Sequence, residues 1–180
     1  MTLLRAATAA DVPALTAIYN EGIAEREATF ETNPRSEADV AAWLEDGLPF
    51  VVAEGAAGVE GFARVSEYSD RCVYSGVGEH GVYVARAARG RGVGRALLLE
   101  LCAAAERAGY YKLTSRIFTT NAASRAVHAA AGFDEVGIQR RHGRLDGEWR
   151  DCVLVERLLG EAAAPRMSSR SSMGTTRRHS

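Results

Sequence analysis

The sequence is poor in several features that would indicate particular classes of protein. Its 180 residues contain no apolar run that approaches the roughly 18 residues needed to cross a bilayer. Its three cysteines (Cys72, Cys102 and Cys152) form no CxxC pair, and no histidine stands at zinc-finger spacing. An odd number of widely spaced cysteines argues for free thiols in a reducing compartment and against a disulfide framework or a structural metal.

The sequence also lacks an excess of charge of either sign. It has 22 basic and 23 acidic residues, which gives a net charge of -1, and Lys112 is its single lysine. Proteins that bind nucleic acid usually carry a basic excess on one face, so nucleic acid is not an expected partner. The first 15 residues contain no long apolar core of the kind that a secretory signal needs. We therefore expect a cytoplasmic enzyme or binding module with no membrane partner.

The rest of the composition is that of an ordinary globular domain. Apolar residues make up 47% and charged residues 25% of the chain, whose length is enough for one well-buried domain. From residue 161 onward the chain is rich in serine and arginine and nearly free of large apolar side chains. Such a segment cannot bury enough surface to offset its ordering entropy. We predict a folded domain over residues 1–160 and a disordered tail over 161–180.

The periodicity of the apolar residues predicts a mixed sheet with helices packed on it. Helices repeat apolar residues every three to four positions and strands every second position, and turn-forming residues mark the breaks. Two capping boxes, at 8–11 and 36–39, mark the starts of the first two helices. The predicted strands cover residues 3–6, 49–54, 59–68, 82–84, 112–118, 136–139 and 153–158, the last two around an arginine-rich loop. The predicted helices cover residues 11–25, a short segment from 36, 92–108 and 121–131.

The rest of the chain is organised around residues 79–101. A short strand (Val82, Tyr83 and Val84) leads into a basic, glycine-rich turn that opens straight into a helix. Such a turn presents unpaired N–H groups and the positive end of a helix dipole, so it suits a phosphate group. The turn consists of Arg89, Gly90, Arg91, Gly92, Val93, Gly94 and Arg95. It is not a Walker A motif, and a tight turn with solvated arginines is the alternative interpretation.

The wider pattern around this turn resembles one family. The spacing V-x-V-x-x-x-x-R-x-x-G-x-G is followed one strand later by Asn121 and an alanine-rich helix that ends in Gly132-Phe133. Over residues 3–158 these motifs and the order of elements are similar to those of the GCN5-related N-acetyltransferase (GNAT) superfamily. The resemblance implies an α+β, three-layer fold in which helices flank a mixed, mostly antiparallel central sheet with splayed strands.

The same resemblance implies acetyl-CoA as co-substrate and no metal. In the superfamily the glycine-rich turn, here residues 89–95, holds the pyrophosphate of acetyl-CoA. The pantetheine arm lies along a strand like residues 82–84, where that strand splays from the next one. Asn121 and Ser124 correspond to positions that hydrogen-bond the pantetheine or phosphate end.

Four segments narrow the resemblance to one branch. TFETNP, SDRCVYSGVGEHGVYV, IFTTNAASRAVHAAAGF and GRLDGEWRDCVLVER are similar to the phosphinothricin N-acetyltransferase branch, which includes arsinothricin and methionine sulfone acetyltransferases. Members of this branch detoxify small amino acids that bear a tetrahedral polar head by acetylating the α-amino group, and they are commonly homodimers. Two positions depart from the branch pattern, since Ser69 replaces a basic residue of some relatives and Gly81 replaces a serine or threonine.

Two residues are candidates for the acid–base chemistry of acetyl transfer. The amine must lose a proton before it attacks, and the leaving thiolate must gain one. Glu79 matches the proposed general base of the branch, although a solvent-exposed glutamate at a strand end is the alternative. His128 shares a helical face with Asn121 and corresponds to a position that protonates the thiolate or assists the base. A histidine on an alanine-rich helix can also be a packing residue.

Arginine is the expected means of substrate recognition, because its planar fork binds a carboxylate, phosphinate or arsinate with two hydrogen bonds. Arg71 and Tyr74 match substrate-side positions of the branch, and Phe30 is expected to line the pocket wall. Any single arginine of this arginine-rich chain can instead be solvated. Trp149 either organises the final hairpin or anchors a dimer contact near the site.

Two other functions stay open from the sequence. The first is acetylation of a protein N-terminus or lysine, which would need an open groove at the TFETNP and GEWRD segments. The second is a non-catalytic acetyl-CoA-binding module that keeps the fold without turnover. The presence of both Glu79 and His128 argues against this second function.

Overall fold

A seven-stranded sheet runs through residues 2–164, the part of the chain that the computed structural model describes. Its strands are β1 (Leu3–Ala6), β2 (Phe50–Gly55), β3 (Gly58–Glu67), β4 (Val77–Val84), β5 (Lys112–Phe118), β6 (Asp134–Leu145) and β7 (Glu148–Leu158). The α-helices of this region are α1 (Val12–Glu25), α2 (Glu37–Glu45), α3 (Val93–Arg107) and α4 (Ala122–Ala130). The predicted α+β class, with a mixed and mostly antiparallel sheet, is confirmed.

The centre of the sheet contains a splay between two parallel strands. The strand order is β1-β2-β3-β4-β5-β7-β6, and β4 and β5 form its parallel pair. Their ladder has three register pairs and ends where Glu79 faces Thr114, although β4 continues to Val84 and β5 to Phe118. Residues 80–84 therefore keep a backbone edge toward β5 that has no ladder partner there.

The two faces of the sheet carry different cores. The face under α1 and α2 is aromatic, whereas aliphatic side chains fill the face under α3 and α4. The aromatic layer contains Tyr19, Trp43, Phe50, Phe62 and Tyr83. Because side chains alternate along a strand, β4 directs Glu79 to the aromatic side and His80 to the aliphatic side. The splay thus brings groups from both faces to one place.

The predicted helix starts are confirmed. Thr8 and Asp11 form a capping box before α1, and Ser36 and Asp39 form another before α2. In each box the carboxylate accepts a hydrogen bond from the backbone N–H of the capping residue, at 2.8 Å in both cases. These bonds satisfy donors that would otherwise be unpaired at a helix N-terminus.

The two predicted final strands are present, but the prediction that they are short and flank an arginine-rich loop was wrong. Residues 134–158 form one long hairpin, whose strands are joined at Asp146 and Gly147. Both turn residues have positive φ angles, 49° and 84°, as a tight two-residue hairpin turn requires. Asp151 organises the hairpin, since its carboxylate accepts a hydrogen bond from the Arg141 backbone N–H at 2.7 Å, beside a register shift.

Two other predicted boundaries differ from the structure or lie outside it. The strand predicted at 82–84 begins at Val77, because pairing with β3 and β5 supports residues that show no apolar alternation of their own. Gly160–Ala163 form a short 3₁₀ turn at the start of the predicted tail. Residues 165–180 of that tail lie outside the described residues.

Candidate active site

A cavity of about 990 Å³ opens where β4 and β5 diverge. It extends from the aromatic layer under α1 and α2 to the N-terminus of α3, and its volume is that of a typical ligand site. Its walls include these predicted site residues: Phe30, Glu79, Val82, Tyr83, Val84, Arg89, Gly90, Gly92, Val93, Gly94, Arg95, Asn121, Ser124 and His128. Arg71, Tyr74 and Arg91 are not part of the cavity wall.

The glycine-rich turn has the geometry of an anion-binding helix N-terminus. Gly90 and Gly92 have φ angles of 76° and 80°, in the left-handed region that favours glycine. Gly92 is the N-cap of α3 and has no side chain to accept hydrogen bonds from the first-turn N–H groups, which remain available to a phosphate. A Cβ on Gly94 would lie 3.2 Å from a methyl carbon of Val127, so glycine there lets α3 approach α4 closely.

Acidic side chains hold two arginines of the turn. Arg89 lies 2.9 Å from Glu25 at the end of α1 and donates to the Val84 carbonyl at 3.1 Å. The pKa of Glu25 is lowered, mainly by its hydrogen bond from Arg89. Arg91 pairs with Glu60 at 2.8 Å. These pairs hold two arginines of the turn, Arg95 donates through Nε to the Ala130 carbonyl at 3.0 Å, and the first-turn backbone N–H groups of α3 remain available to a ligand.

Glu79 lies at the last register pair of β4 with β5, where the splay begins. One of its carboxylate oxygens accepts a hydrogen bond from Arg116 Nη1 at 2.7 Å, and its side chain is 34% exposed. Arg116 also donates through Nε to Gln139 at 3.1 Å. The other oxygen of Glu79 accepts no hydrogen bond from the described residues. Arg116 orients the carboxylate and leaves this oxygen available as a proton acceptor.

His128 is buried against a second histidine, His80 of β4, which the sequence pattern did not single out. Their Nε2 atoms lie 3.0 Å apart, and His128 Nδ1 lies 2.8 Å from the Ser124 carbonyl oxygen. A carbonyl can only accept, so His128 Nδ1 carries a proton, and in the neutral pair its Nε2 accepts a hydrogen bond from His80. The remaining nitrogen, His80 Nδ1, is buried without a hydrogen-bond partner among the described residues.

The two histidines form a neutral pair at neutral pH. Burial is the main cause that lowers the pKa of each ring. The neighbouring His128 lowers the pKa of His80 further. The Thr114 backbone acts in the opposite direction, although it forms no hydrogen bond of ordinary geometry with the ring. Both nitrogens of His128 are therefore engaged within the protein.

Asn121 and Ser124 hold the start of α4. The Asn121 side-chain oxygen accepts from the Ser124 backbone N–H at 3.0 Å, which caps the helix. The Asn121 amide nitrogen donates to the Glu27 carbonyl at 3.0 Å and so ties α4 to the segment after α1. The Ser124 hydroxyl lies 3.4 Å from His128 Nδ1, inside the cavity wall.

The predicted substrate residues divide between the cavity and the surface. The Phe30 ring packs edge-on against Phe118 at 4.8 Å and forms part of the wall. Arg71 and Tyr74 are exposed next to the 3₁₀ turn Cys72–Tyr74, and the Arg71 guanidinium lies 5.5 Å from the Tyr74 ring. Arg64 of β3, which was not predicted as a site residue, does line the cavity.

Within residues 2–164, no group of three or more histidine, cysteine, aspartate or glutamate residues is placed to hold a metal ion. None of the helices in this part of the chain is long and apolar enough to cross a membrane.

Comparison with known proteins gives one family model and several relatives. The model described as acetyltransferase (GNAT) domain matches residues 4–154. The chain is 37% identical to a phosphinothricin N-acetyltransferase of Alcaligenes faecalis, covering 86% of this chain and 82% of the relative. It is 33% identical to an L-methionine sulfoximine/L-methionine sulfone acetyltransferase of Pseudomonas paraeruginosa, covering 85% of this chain and 92% of the relative.

A solved structure shows the same architecture. It is the crystal structure of a GNAT superfamily phosphinothricin acetyltransferase from Sinorhizobium meliloti in complex with acetyl-CoA, and its TM-score with the present structure is 0.83. The two chains are 34% identical, and the match covers 96% of this chain and 97% of the other.

Proposed function

The chain belongs to the GNAT acetyltransferase family and is an acetyl-CoA-dependent N-acetyltransferase, and we propose that it acetylates the α-amino group of a small amino acid with a tetrahedral polar head. Phosphinothricin, arsinothricin and methionine sulfone represent this substrate class. In this proposal, acetylation converts the amine into an uncharged amide and detoxifies such compounds.

One observation carries this proposal. An acidic side chain, Glu79, lines a cavity of about 990 Å³ at the point where β4 leaves β5, and the same cavity reaches the N-terminus of α3. A cavity of this form can hold an amine at one end and an acetyl-CoA arm at the other. The relatives named for phosphinothricin and methionine sulfone acetylation match this chain over more than four-fifths of their length, which supports the substrate class.

The fit to acetyl-CoA rests on backbone groups of the cavity. The N–H groups at the start of α3, around Gly92, would bind the pyrophosphate, since the capping residue leaves them free. The unpaired edge of residues 80–84 would hydrogen-bond the pantetheine amides. Bound acetyl-CoA supplies the activated acetyl thioester, whose carbonyl oxygen a backbone N–H near Tyr83 or Val84 would polarise.

Glu79 has the role of general base in this proposal. An amino acid arrives as an ammonium ion, which cannot attack a thioester until it loses a proton. The uncommitted oxygen of the Glu79 carboxylate would take that proton, directly or through a water molecule, while Arg116 holds the other oxygen at 2.7 Å.

His128 has a more limited role. It lines the cavity, but its Nε2 faces His80 at 3.0 Å and its Nδ1 faces the Ser124 carbonyl at 2.8 Å. Nε2 carries no proton in this tautomer, so His128 could protonate the leaving thiolate only after the contact with His80 opens and Nε2 takes up a proton, such as the one released by the substrate ammonium. We therefore propose that the main role of His128 is to shape the site at the splay. Proton transfer to the sulfur would be a second role, which requires this opening.

The cellular setting follows the same proposal. We place the enzyme in the cytoplasm, a location that its unpaired cysteines support.

We also propose a homodimer that uses the outer strand β6. Val136 and Ile138 on this strand are exposed apolar residues, and Trp149 of the neighbouring strand is half-exposed.

The proposal is tested by following the release of CoA thiol from acetyl-CoA. The amine panel contains phosphinothricin, arsinothricin, methionine sulfone, unmodified amino acids and a peptide with a free N-terminus. We expect the highest kcat/KM with one of the first three compounds. Release with the peptide alone would replace this function with protein acetylation, and binding of acetyl-CoA without any turnover would indicate a non-catalytic module.

A further inference from the structure

Arg64 stands on the same face of the sheet as the proposed base. It lies on β3 directly opposite Gly81 of β4, while Ser66 of β3 lies opposite Glu79. Side chains two positions apart on a strand share a face, so the Arg64 and Glu79 side chains both face the aromatic side of the cavity. Diagonal neighbours of this kind have Cα atoms about 7–8 Å apart, a distance that one small amino acid can bridge with its amine and an acidic group.

The guanidinium of Arg64 is buried with little compensation for its charge. Its side chain is 18% exposed, and Nε is buried with no hydrogen-bond partner among the described residues. Its carboxylate partner is Asp46, whose oxygen lies at 3.4 Å and whose side chain is 51% exposed. The ring centroid of Trp43 lies 4.6 Å from the guanidinium carbon and covers one side of it. Burial lowers the pKa of Arg64, and the charge of Asp46 opposes this effect only in part.

Three other arginines in this cavity are better neutralised. Arg35 pairs with Glu31 at 2.7 Å, and Arg116 pairs with Glu79 at the same distance. Arg89 pairs with Glu25 at 2.9 Å. Arg95, which also lines the cavity, has no carboxylate partner among the described residues, but its side chain is exposed at the α3 end and donates to the Ala130 carbonyl at 3.0 Å. Arg64 is the cavity arginine with a buried N–H group, Nε, that has no partner in the described part of the chain, and its carboxylate contact is the longest of these four pairs. A buried cation of this kind gains the most from an anionic ligand.

We propose that Arg64 binds an oxyanion of the amino-acid substrate and so selects anionic amino acids. This inference rests on the proposed function, because it takes the amine to be held at Glu79. The oxyanion is the α-carboxylate or the acidic head of the side chain, and the guanidinium fork suits both. The exposed Arg71, which the sequence predicts for this task, is absent from the cavity wall.

The test compares Arg64→Met with the wild-type enzyme on three amines. Methionine keeps an unbranched stem against Trp43 and removes the charge. Phosphinothricin carries an α-carboxylate and a phosphinate, methionine sulfone carries the α-carboxylate alone, and methionine sulfone carboxamide carries neither. Ratios of kcat/KM within one preparation do not depend on the fraction of folded enzyme. Arg107→Met is the matched control, because Arg107 is exposed at the end of α3 and does not line the cavity.

We expect Arg64→Met to lower the kcat/KM of at least one anionic amine, relative to that of the carboxamide, by about 10- to 100-fold, because charged hydrogen bonds are lost. If both anionic amines lose activity relative to the carboxamide, Arg64 binds the α-carboxylate. If only phosphinothricin loses activity, Arg64 binds the acidic head. Ratios that stay within about twofold of wild type, or that fall in Arg71→Met instead, would overturn the assignment.

Calorimetric titration of phosphinothricin into the CoA-bound protein separates this proposal from the proposed function. Weaker binding to Arg64→Met than to wild type supports the anion site even if the wild-type enzyme releases no CoA thiol. Equal binding to both proteins, with turnover in the wild type, contradicts the Arg64 assignment and leaves the acetyltransferase function in place.

Discussion

At the scale of single residues, the site depends on how polar side chains are paired across the strands of the sheet. Glu79 is held by Arg116 of β5, and Arg116 is in turn held by Gln139 of β6. This chain of hydrogen bonds fixes one oxygen of the proposed base and leaves the other uncommitted. A glutamate at an unsupported strand end would rotate freely, so the pairing is what makes Glu79 a positioned group.

Replacing Glu79 tests its role as the base. Glu79→Gln keeps the shape of the side chain but removes the proton acceptor, so we expect kcat to fall by about 10²- to 10⁴-fold. Affinity for acetyl-CoA should not change, because the cofactor is expected to bind through backbone groups of α3 and β4. Stopped-flow or steady-state rates together with calorimetric titration of CoA measure both quantities.

Glu67→Gln is the control for this substitution. Glu67 is exposed on β3 and does not line the cavity, so its replacement should leave both kcat and CoA affinity at wild-type values. A Glu79→Gln enzyme that keeps the wild-type rate across pH would show that another group is the base.

The His80–His128 pair predicts a pH dependence of stability. Both pKa values are lowered in the folded protein, so below about pH 6.5, the usual pKa of histidine, the unfolded chain takes up protons that the folded chain does not. The free energy of unfolding should therefore fall as the pH is lowered from about 6.5 to about 5, by up to about 1.4 kcal/mol per pH unit for each histidine. Urea denaturation at several pH values measures this slope.

His80→Gln provides the comparison. Glutamine can still donate a hydrogen bond toward His128 but does not titrate, so the slope should become shallower in the same pH window. An unchanged slope in this variant would contradict the assignment of His80 as a neutral, buried member of the pair.

The sequence predicts some of these residues and not others, for a physical reason. Glu79 and the turn residues belong to a contiguous motif that local spacing reveals. Arg116, His80 and Arg64 matter through partners on other strands or helices, and those partners depend on the register of β3, β4 and β5. One signal was present, because alternation along β4 sends His80 to the face opposite that of Glu79.

At the scale of elements, the N-terminus of α3 is the part of the fold that most directly suits acetyl-CoA. Its turn combines a glycine N-cap at positive φ, free first-turn N–H groups and arginines tied to Glu25 and Glu60. The turn is therefore preorganised, and a ligand would not have to order it on binding.

A pair of glycine substitutions at the two ends of α3 tests this element. Gly92 and Gly109 have φ angles of 80° and 92°, so alanine at either position should cost about 1 kcal/mol of stability through backbone strain. Only Gly92→Ala should also weaken acetyl-CoA binding, because it distorts the N-terminal turn. Thermal unfolding and CoA titration of both variants measure the two effects.

Gly109→Ala is the internal control, since it strains the same helix at the end away from the turn. If both variants lose CoA affinity equally, the loss reflects stability alone. In that case the glycine-rich turn would not be the pyrophosphate site.

The elements themselves were largely predictable from apolar periodicity. The segment 112–118 is a strand as predicted, and α1, α3 and α4 differ from their predicted ranges by single residues at their ends. The full length of the final hairpin was missed because its outer strand is mostly exposed and carries no buried alternation. The Asp146-Gly147 pair was the local signal for its tight turn.

At the scale of the whole molecule, the cavity exists because the sheet separates in its middle. The aromatic layer under α1 and α2 and the aliphatic layer under α3 and α4 lie on opposite faces of the sheet, and the splay between β4 and β5 opens a passage between them. An amine on the Glu79 side and a thioester on the α3 side can therefore approach each other through the sheet. The sequence could imply this splay only through family resemblance, since no local pattern encodes the point where two strands part.

The central claim is that this cavity transfers an acetyl group to the α-nitrogen of a small amino acid. The most direct measurement combines ¹³C-carbonyl acetyl-CoA with ¹⁵N-labelled methionine sulfone or phosphinothricin and follows the reaction by NMR. The account predicts a new amide carbonyl signal that shows one-bond coupling between ¹³C and ¹⁵N and grows in step with CoA thiol. CoA release that yields only free ¹³C-acetate, or intact acetyl-CoA beside unmodified amino acid, would contradict it.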